Sequence, residues 1–307
     1  MKYIFFILQF ISIFSFAQEV DSTDNARLAK LITLSETVIR SDLNVSKFIE
    51  RIKNDTSFYK AFKNLRVLNF SSLNDIRVLD ETGKNIASLF SKTRQYRFDN
   101  CRTMEVLEEK YTGDFFDKKK NYNYYTAELY ASLFFTKGKI CGETNIVKNK
   151  QRDVKSKKGI EKRKEQLKML FFDPGKKITG IPLMGDKAAI FLENNLEHYN
   201  FSIEFEEHEG QNCYKFEIIA KENSKNQVVI DKMTTWFNSR TMQIVARNYE
   251  LSYNAGIYNF DVQMEVKMKP FGELLVPQTL RYIGFWDLPF HKKEKAIFTA
   301  TLFDFSN

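Results

Sequence analysis

The feature that most restricts what this chain can fold into is the stretch Tyr258-Asn-Phe-Asp-Val-Gln-Met-Glu-Val-Lys-Met268. Tyr258, Phe260, Val262, Met264, Val266 and Met268 alternate without exception with Asn259, Asp261, Gln263, Glu265 and Lys267. Successive side chains of a strand point to opposite faces, so the pattern predicts a strand with one apolar and one wet face. At about 3.4 Å per residue it spans about 37 Å, roughly twice a common strand. Strands of that length belong to large curved antiparallel sheets or barrels.

The same texture fills the last hundred residues. Phe201, Ile203 and Phe205 alternate with Ser202, Glu204 and Glu206, and a turn falls at Glu209–Asn212. Strands are predicted over Tyr214–Ile218, Val228–Phe237, Gln243–Tyr253, Leu275–Phe285 and Ala296–Phe305, with Pro270, Pro277 and Pro289 at strand ends or edges. Short, evenly spaced turns make an up-and-down meander the natural topology.

The first half reads differently. Asp24 is a candidate cap for a helix carrying Leu28, Leu31, Ile32, Val38 and Ile39. A second helix carries Val45, Phe48, Ile49 and Ile52, and a third, opened by Asp55 or Thr56, carries Phe58, Phe62 and Leu65. Strands are then predicted over Arg66–Phe70 and Asp75–Leu79, followed by the turn Asp80-Glu-Thr-Gly83 and strands over Asn85–Phe90 and Gln95–Phe98. Met104–Asp117 has no clear period. Thr126 is a candidate cap for a helix with Leu129 and Leu133, Ile160–Phe171 reads as helical, and Asp186 as the cap of a helix bearing Ala189, Phe191, Leu192, Leu196 and Tyr199.

Residues 1–17 read as a cleavable leader: Lys2, an apolar run from Tyr3 to Phe16, and small residues at Ser15 and Ala17. The expected location is therefore periplasmic or extracellular. The remaining chain, 18–307, reads as a single α+β domain. Its parts are a helical segment 18–65, first strands and a helix 66–136, a basic connection 137–177, and the meander 178–307. The expected fold is one large curved antiparallel sheet, an unclosed barrel, covered by helices. Twenty-nine Phe and fourteen Tyr supply an ample core.

The formal charge of +8 is concentrated between Lys137 and Lys177, where fourteen Lys or Arg face five Asp or Glu. Such a run is a solvated face, or a contact for an anionic membrane surface. No nucleic-acid partner is expected of a secreted chain. Of Cys101, Cys141 and Cys213, the first two form the candidate bridge, with three buried thiols as the alternative.

Catalytic signatures are missing: no nucleophile elbow, zincin motif or phosphate loop occurs. His198 and His208 flank a strand about 30 Å long, too far apart to share a metal. Glu204 and Glu206 share a strand face, which keeps a hydrolase as a third reading behind an envelope adhesion or structural module that binds a protein or glycan. No cofactor or metal is implied.

What remains is the apolar face. Tyr214, Phe216, Trp236, Tyr258, Phe260, Met264, Met268 and Trp286 are the candidate ligand-binding wall of the sheet's concavity, or ordinary core beneath the helices. A sixteen-carbon tail buried there offers on the order of 10 kcal/mol gross. Trp236-Phe-Asn-Ser-Arg-Thr-Met-Gln-Ile244, with Leu275-Val-Pro277 leading into Tyr282-Ile-Gly-Phe-Trp286, resembles the strands of the periplasmic lipoprotein-carrier (lipoprotein-sorting) superfamily. The likeness runs over about Ile190–Phe305, as in a distant secreted relative of Bacteroidetes type. It implies an unclosed barrel whose hollow shelters acyl chains, a monomeric carrier and no catalytic residue.

Overall fold

The structure, a computed structural model, describes residues 19–39, 41, 43–147, 166, 168–178, 184–254, 259–287 and 292–307. The expected leader, Tyr258, Pro289, His291 and residues 148–165 of the basic connection lie outside the described residues.

Four helices come first: α1 (Glu19–Leu31), α2 (Glu36–Ile39), α3 (Val45–Asn54) and α4 (Ser57–Asn64), with the short strand β1 (Ile32–Leu34) between α1 and α2. The expected continuous stripe from Leu28 to Ile39 is thus broken. Ile32-Thr-Leu34 pairs in parallel with Phe201–Ile203 instead, where a β-branched pair fits better than in a helix. Asp24 lies inside α1, which begins at Glu19, not at its start. The next two helices stand where periodicity placed them. Asn44 caps α3 by accepting from the Lys47 N–H at 3.0 Å, and Asp55 accepts from the Ser57 N–H at 3.1 Å just before α4.

The strands β2 (Asn69–Leu79), β3 (Asn85–Phe98) and β4 (Cys101–Thr112) follow as a meander, then α5 (Tyr125–Phe134) and the two-residue β5 (Ile140–Cys141). Gly83 at φ +85° closes the β2–β3 turn. Both β2 and β3 run unbroken through positions where strand breaks were expected. Ser72 and Asn74 on β2, and Ser91, Thr93 and Gln95 on β3, keep the inward parity of their apolar neighbours and are buried.

After a helical turn at 168–172 and the four-residue α6 (Glu193–Leu196) comes the second meander. It comprises β6 (Tyr199–His208), β7 (Gln211–Ala220), β8 (Ile230–Asn238), β9 (Ile244–Asn254), β10 (Asn259–Phe271), β11 (Leu274–Asp287) and β12 (Glu294–Ser306). The helix expected after Asp186 is reduced to turns and the single turn of α6. There the Asn195 amide donates to the carbonyls of Asp186 and Ala189, both at 2.7 Å, and Tyr199 opens β6. Pro270 is the penultimate residue of β10, and Pro277 lies near the start of β11, as expected of strand ends and edges. Pro277 pairs with Met268 beside a register shift, on a stretch of β11 that precedes its pairing with β12.

All twelve strands form one sheet, ordered β1-β6-β7-β8-β9-β10-β11-β12-β2-β3-β4-β5, antiparallel except for β1 with β6. The last strand lies beside the first long one, with Phe298 opposite Ile76 and Ala300 opposite Asn74, and so welds the two meanders together. A twisted sheet of that size curls to cover its own apolar face. It does not close: β1 and β5 end it on opposite sides. Helices fill the hollow. Phe48 of α3 meets Phe216 and Phe237 edge-on at 5.9 and 5.4 Å, and Phe62 of α4 stacks on Phe172 at 4.2 Å. Tyr130 of α5 lies 4.2 Å from Phe298.

Candidate functional site

The hollow is filled unevenly. A cavity of about 190 Å³ remains over the junction of β12, β2 and β3. Its roof is the end of α4 (Tyr59, Phe62, Lys63) and the end of α5 (Leu133, Phe134), with Phe135 and Phe172 beside them. Its floor is Phe70, Ser72 and Asn74 of β2, Gln95 of β3, and Ala300 and Leu302 of β12. Ile140 and Glu143 wall one side. The volume exceeds the ~150 Å³ that holds a benzene ring in a dry protein cavity, and falls short of a drug-sized pocket of ~300 Å³ or more.

Half of the floor is polar, and that polarity is satisfied internally. The Tyr130 hydroxyl donates to Asn74 Oδ1 at 2.8 Å, and Asn74 Nδ2 donates to Ser72 Oγ at 3.1 Å and Ser91 Oγ at 3.3 Å. Ser72 and Thr93 hydroxyls bond at 2.7 Å. Gln95 Nε2 donates to the Leu65 and Leu68 carbonyls at 2.7 and 2.8 Å, and its Oε1 accepts from Arg102 at 3.1 Å and Thr136 at 3.2 Å. A buried network satisfied in this way is rigid, since every unmade bond would be costly. Burial drives the Tyr130 phenol far above its ordinary pKa, so it stays a neutral donor.

Among the described residues, Lys63, Arg66, Arg102, Lys168 and Glu143 are the charged side chains of the lining. Arg102 Nε reaches Glu143 Oε2 at 2.5 Å, while Arg66 lies 3.4 Å from Oε1. Burial opposes ionisation of Glu143, but the Arg102 hydrogen bond and the charges of Arg66 and Arg102 outweigh it and hold its pKa below the usual carboxylate value.

The wall bearing Glu143 is anchored, although the sequence there reads as a loose connection. Cys101 and Cys141 form a disulfide across the β4–β5 pair, and Cys213 is a buried free thiol. Lys63 Nζ donates to the Ile146 carbonyl at 2.5 Å, and the Asn145 amide to Asn64 Oδ1 at 2.9 Å. On the opposite flank α5 is capped from afar. The Thr126 residue expected to cap it lies inside the helix. Glu294 of β12 accepts the Tyr125 and Thr126 N–H groups, both at 2.9 Å, and the Thr126 hydroxyl at 2.8 Å.

Of the eight candidate wall residues, Tyr258 lies outside the described residues and none of the other seven lines this cavity. Phe216, Phe260, Met264, Met268 and Trp286 are buried on the inner face, and Tyr214 is half-buried beside Phe48. Phe260 and Trp286 meet at 5.1 Å, and Trp286 Nε1 donates to the Tyr282 hydroxyl at 2.5 Å. Tyr282 lies along its strand over Gly284, where a Cβ would stand 1.9 Å from the phenol oxygen, so the glycine is sterically required. Met264 alone of the set borders a second gap, of about 10 Å³, which shares Leu133 and Phe134 with the cavity. Trp236 points to the opposite face, stacked on His208 at 4.1 Å and donating to Glu206 at 2.6 Å.

The carboxylate pair tested for hydrolysis is engaged on that same outer face. Lys215 lies 2.6 Å from Glu204 and 3.7 Å from Glu206. His198 Nδ1 bonds to Ser224 at 3.1 Å, and no cluster of three metal-ligating side chains occurs among the described residues. Nor is any helix among them long and apolar enough to cross a membrane.

No family model and no curated protein matches the sequence. Among solved structures the chain is similar to a DUF1329 family protein from Desulfovibrio piger, with 10% identity over 81% of this chain and 93% of that one, at a TM-score of 0.24. It is also similar to a putative outer membrane lipoprotein-sorting protein domain from Vibrio parahaemolyticus, with 9% identity over 81% and 91% of the two chains and a TM-score of 0.26. At that level of identity and superposition, neither assigns a ligand or a family to this chain.

Proposed function

We propose that this is a non-enzymatic binding protein that holds the apolar end of a small amphiphile beneath α4 and α5. The observation that carries the reading is the cavity itself, walled by Phe62, Leu133, Phe134, Phe172 and Leu302. Six or seven buried CH₂ groups contribute about 5 kcal/mol gross, before the cost of association. A longer tail extends past Leu133 and Phe134 toward Met264, which brings Met264, Phe260 and Trp286 into the same site. The Cys101–Cys141 bond supports an oxidising compartment, periplasmic or extracellular.

The test is uptake of 1-aminonaphthalene, followed by its fluorescence, together with native mass spectrometry of gently purified protein. Wild type should take up the probe, and Ala300→Phe, which fills the floor, should not, with an unchanged circular dichroism spectrum. Wild-type protein that takes up no probe and carries no extractable amphiphile would refute the reading.

A second reading, an envelope module that docks a partner along a sheet edge, is favoured by β4. Beyond Arg102 its described pairing is with β3 alone, and Val106 and Leu107 are about half exposed on it. Photo-cross-linking from position 107 in intact cells should trap a polypeptide if the edge is used, and nothing if it is not.

A further inference from the structure

The apolar wall of the cavity is made of rings more than of chains. Six of its twenty lining residues are aromatic, in a protein that is 15% aromatic overall. They come from four separate stretches: Tyr59 and Phe62 from α4, Phe70 from β2, Phe134 and Phe135 at the end of α5, and Phe172 from the turn at 168–172. Phe62 stacks on Phe172 with the ring planes 23° apart, and Phe134 meets Phe172 edge-on at 5.8 Å and 77°. Rings adopt this mixture of stacked and edge-on contacts among themselves because their faces are negative and their edges positive. We propose that the cavity selects a single aromatic ring, seated against Phe62, Phe134 and Phe172, over an alkyl group of the same carbon count. The proposal rests on the amphiphile reading above and names the chemistry of its buried end.

Volume argues the same way. A hole of ~150 Å³ holds benzene, so a cavity of about 190 Å³ has room for one ring and a short substituent. A flexible chain confined to that space would have to coil and freeze several rotors, whereas a ring has none to lose. The polar side chains of the lining are engaged within the protein and are not held open for a ligand. Asn74 and Gln95 are held in hydrogen bonds, Arg66 and Arg102 pair with Glu143, and Lys63 donates to the Ile146 carbonyl. Ser72, Ser132, Tyr59 and Lys168 likewise have partners. A polar substituent driven inward would break one of these bonds, so it stays on the solvent side. Selection inside the cavity is therefore by the shape and quadrupole of the apolar group. A well-placed ring pair is worth about two- to tenfold in affinity beyond the area it buries.

Isothermal titration of the full-length protein with three alcohols of roughly eight carbons tests this: 2-phenylethanol, 2-cyclohexylethanol and octan-1-ol. Octanol has the most apolar area to bury and 2-phenylethanol the least, so burial alone ranks them in that order. A ring-selective cavity reverses the order, with 2-phenylethanol binding about threefold or more tightly than 2-cyclohexylethanol, its saturated counterpart. Phe172→Leu should lower the ratio of these two affinities several-fold. Phe134→Leu, at a half-buried position, should do the same with an unchanged circular dichroism spectrum. Octanol first and 2-phenylethanol last, in wild type and both variants alike, would overturn the aromatic preference and leave the apolar cavity standing. Binding of none of the three would overturn both.

Discussion

Two regions of the same inner sheet face behave differently. Along β7 to β11 the inward positions are apolar almost throughout, with Phe216, Ile218, Met233, Phe237, Leu251, Val262, Met264 and Val266 all buried under α3, α4 and the turn at 168–172. Along β2 and β3 the inward positions change from Val78, Ile76, Ala87 and Leu89 to Asn74, Ser72, Ser91, Thr93 and Gln95 while the parity is kept. The first region leaves only a gap of about 10 Å³ beside Met264, whereas the second has a cavity of about 190 Å³ over it. Short polar side chains tied to one another cannot reach up to fill a roof, and opposite Asn74 the adjoining strand offers only Ala300. The cleanest alternation in the chain therefore marks the filled core. The cavity lies where inward parity persists and the residues stop being apolar.

Breaking the filled region should have the largest effect. Phe216→Ala should cost ~3–5 kcal/mol in urea unfolding, while Leu302→Ala, which only enlarges an existing cavity, should fall near the lower end of the ~2–5 kcal/mol range for leucine truncation. Equal costs would mean that the two regions do not differ in packing.

Removing the disulfide as Cys101→Ser with Cys141→Ser comes next, at ~2–4 kcal/mol. Hydrogen exchange should show the loss concentrated in 137–147 and β4, with β7–β11 unchanged and ligand uptake weakened. A loss spread evenly over the sheet would contradict a local anchor for the cavity wall.

Asn74→Leu should destabilise by ~1–3 kcal/mol, because the buried Tyr130 hydroxyl loses its acceptor although apolar volume is gained. A stabilised variant would show that the polar floor has no structural role.

The smallest effect is on acid sensitivity. The folded-state pKa of Glu143 is depressed, so the unfolded chain takes up the proton first as pH falls. Its contribution is complete above the ordinary carboxylate value and disappears as pH falls through the folded one. Partial exposure limits it to about 1 kcal/mol or less. Urea titrations between pH 3 and pH 6 should show that Glu143→Gln loses this part of the pH dependence; identical slopes for the two proteins would remove Glu143 as an ionised partner of the arginines.

How much of this was legible depends on how far apart in the chain the cause lies. Strands β6 to β12, helices α3 and α4, and the Asp80–Gly83 turn are written in patterns a few residues long, and the sequence shows them directly. Phe216, Phe260, Met264, Met268 and Trp286 were legible as a buried face, because alternation reports burial and not whether the space above is full. The polar floor was misread as strand breaks, since a buried serine or asparagine is identified only by its partner. Those partners lie across the sheet: Ser72 to Thr93, Asn74 to Tyr130, Gln95 to Arg102.

By itself, then, the sequence determined a large antiparallel sheet with an apolar side and helices to cover it, and left the bridging of Cys101 and Cys141 open. Only the tertiary structure decided that β12 closes on β2, that Glu294 caps α5 from 168 residues away, and that Arg66 and Arg102 meet at one carboxylate. Periodicity is a property of neighbours along the chain, whereas a cavity is a property of residues brought together across it, and its volume depends on every side chain that fails to fill it.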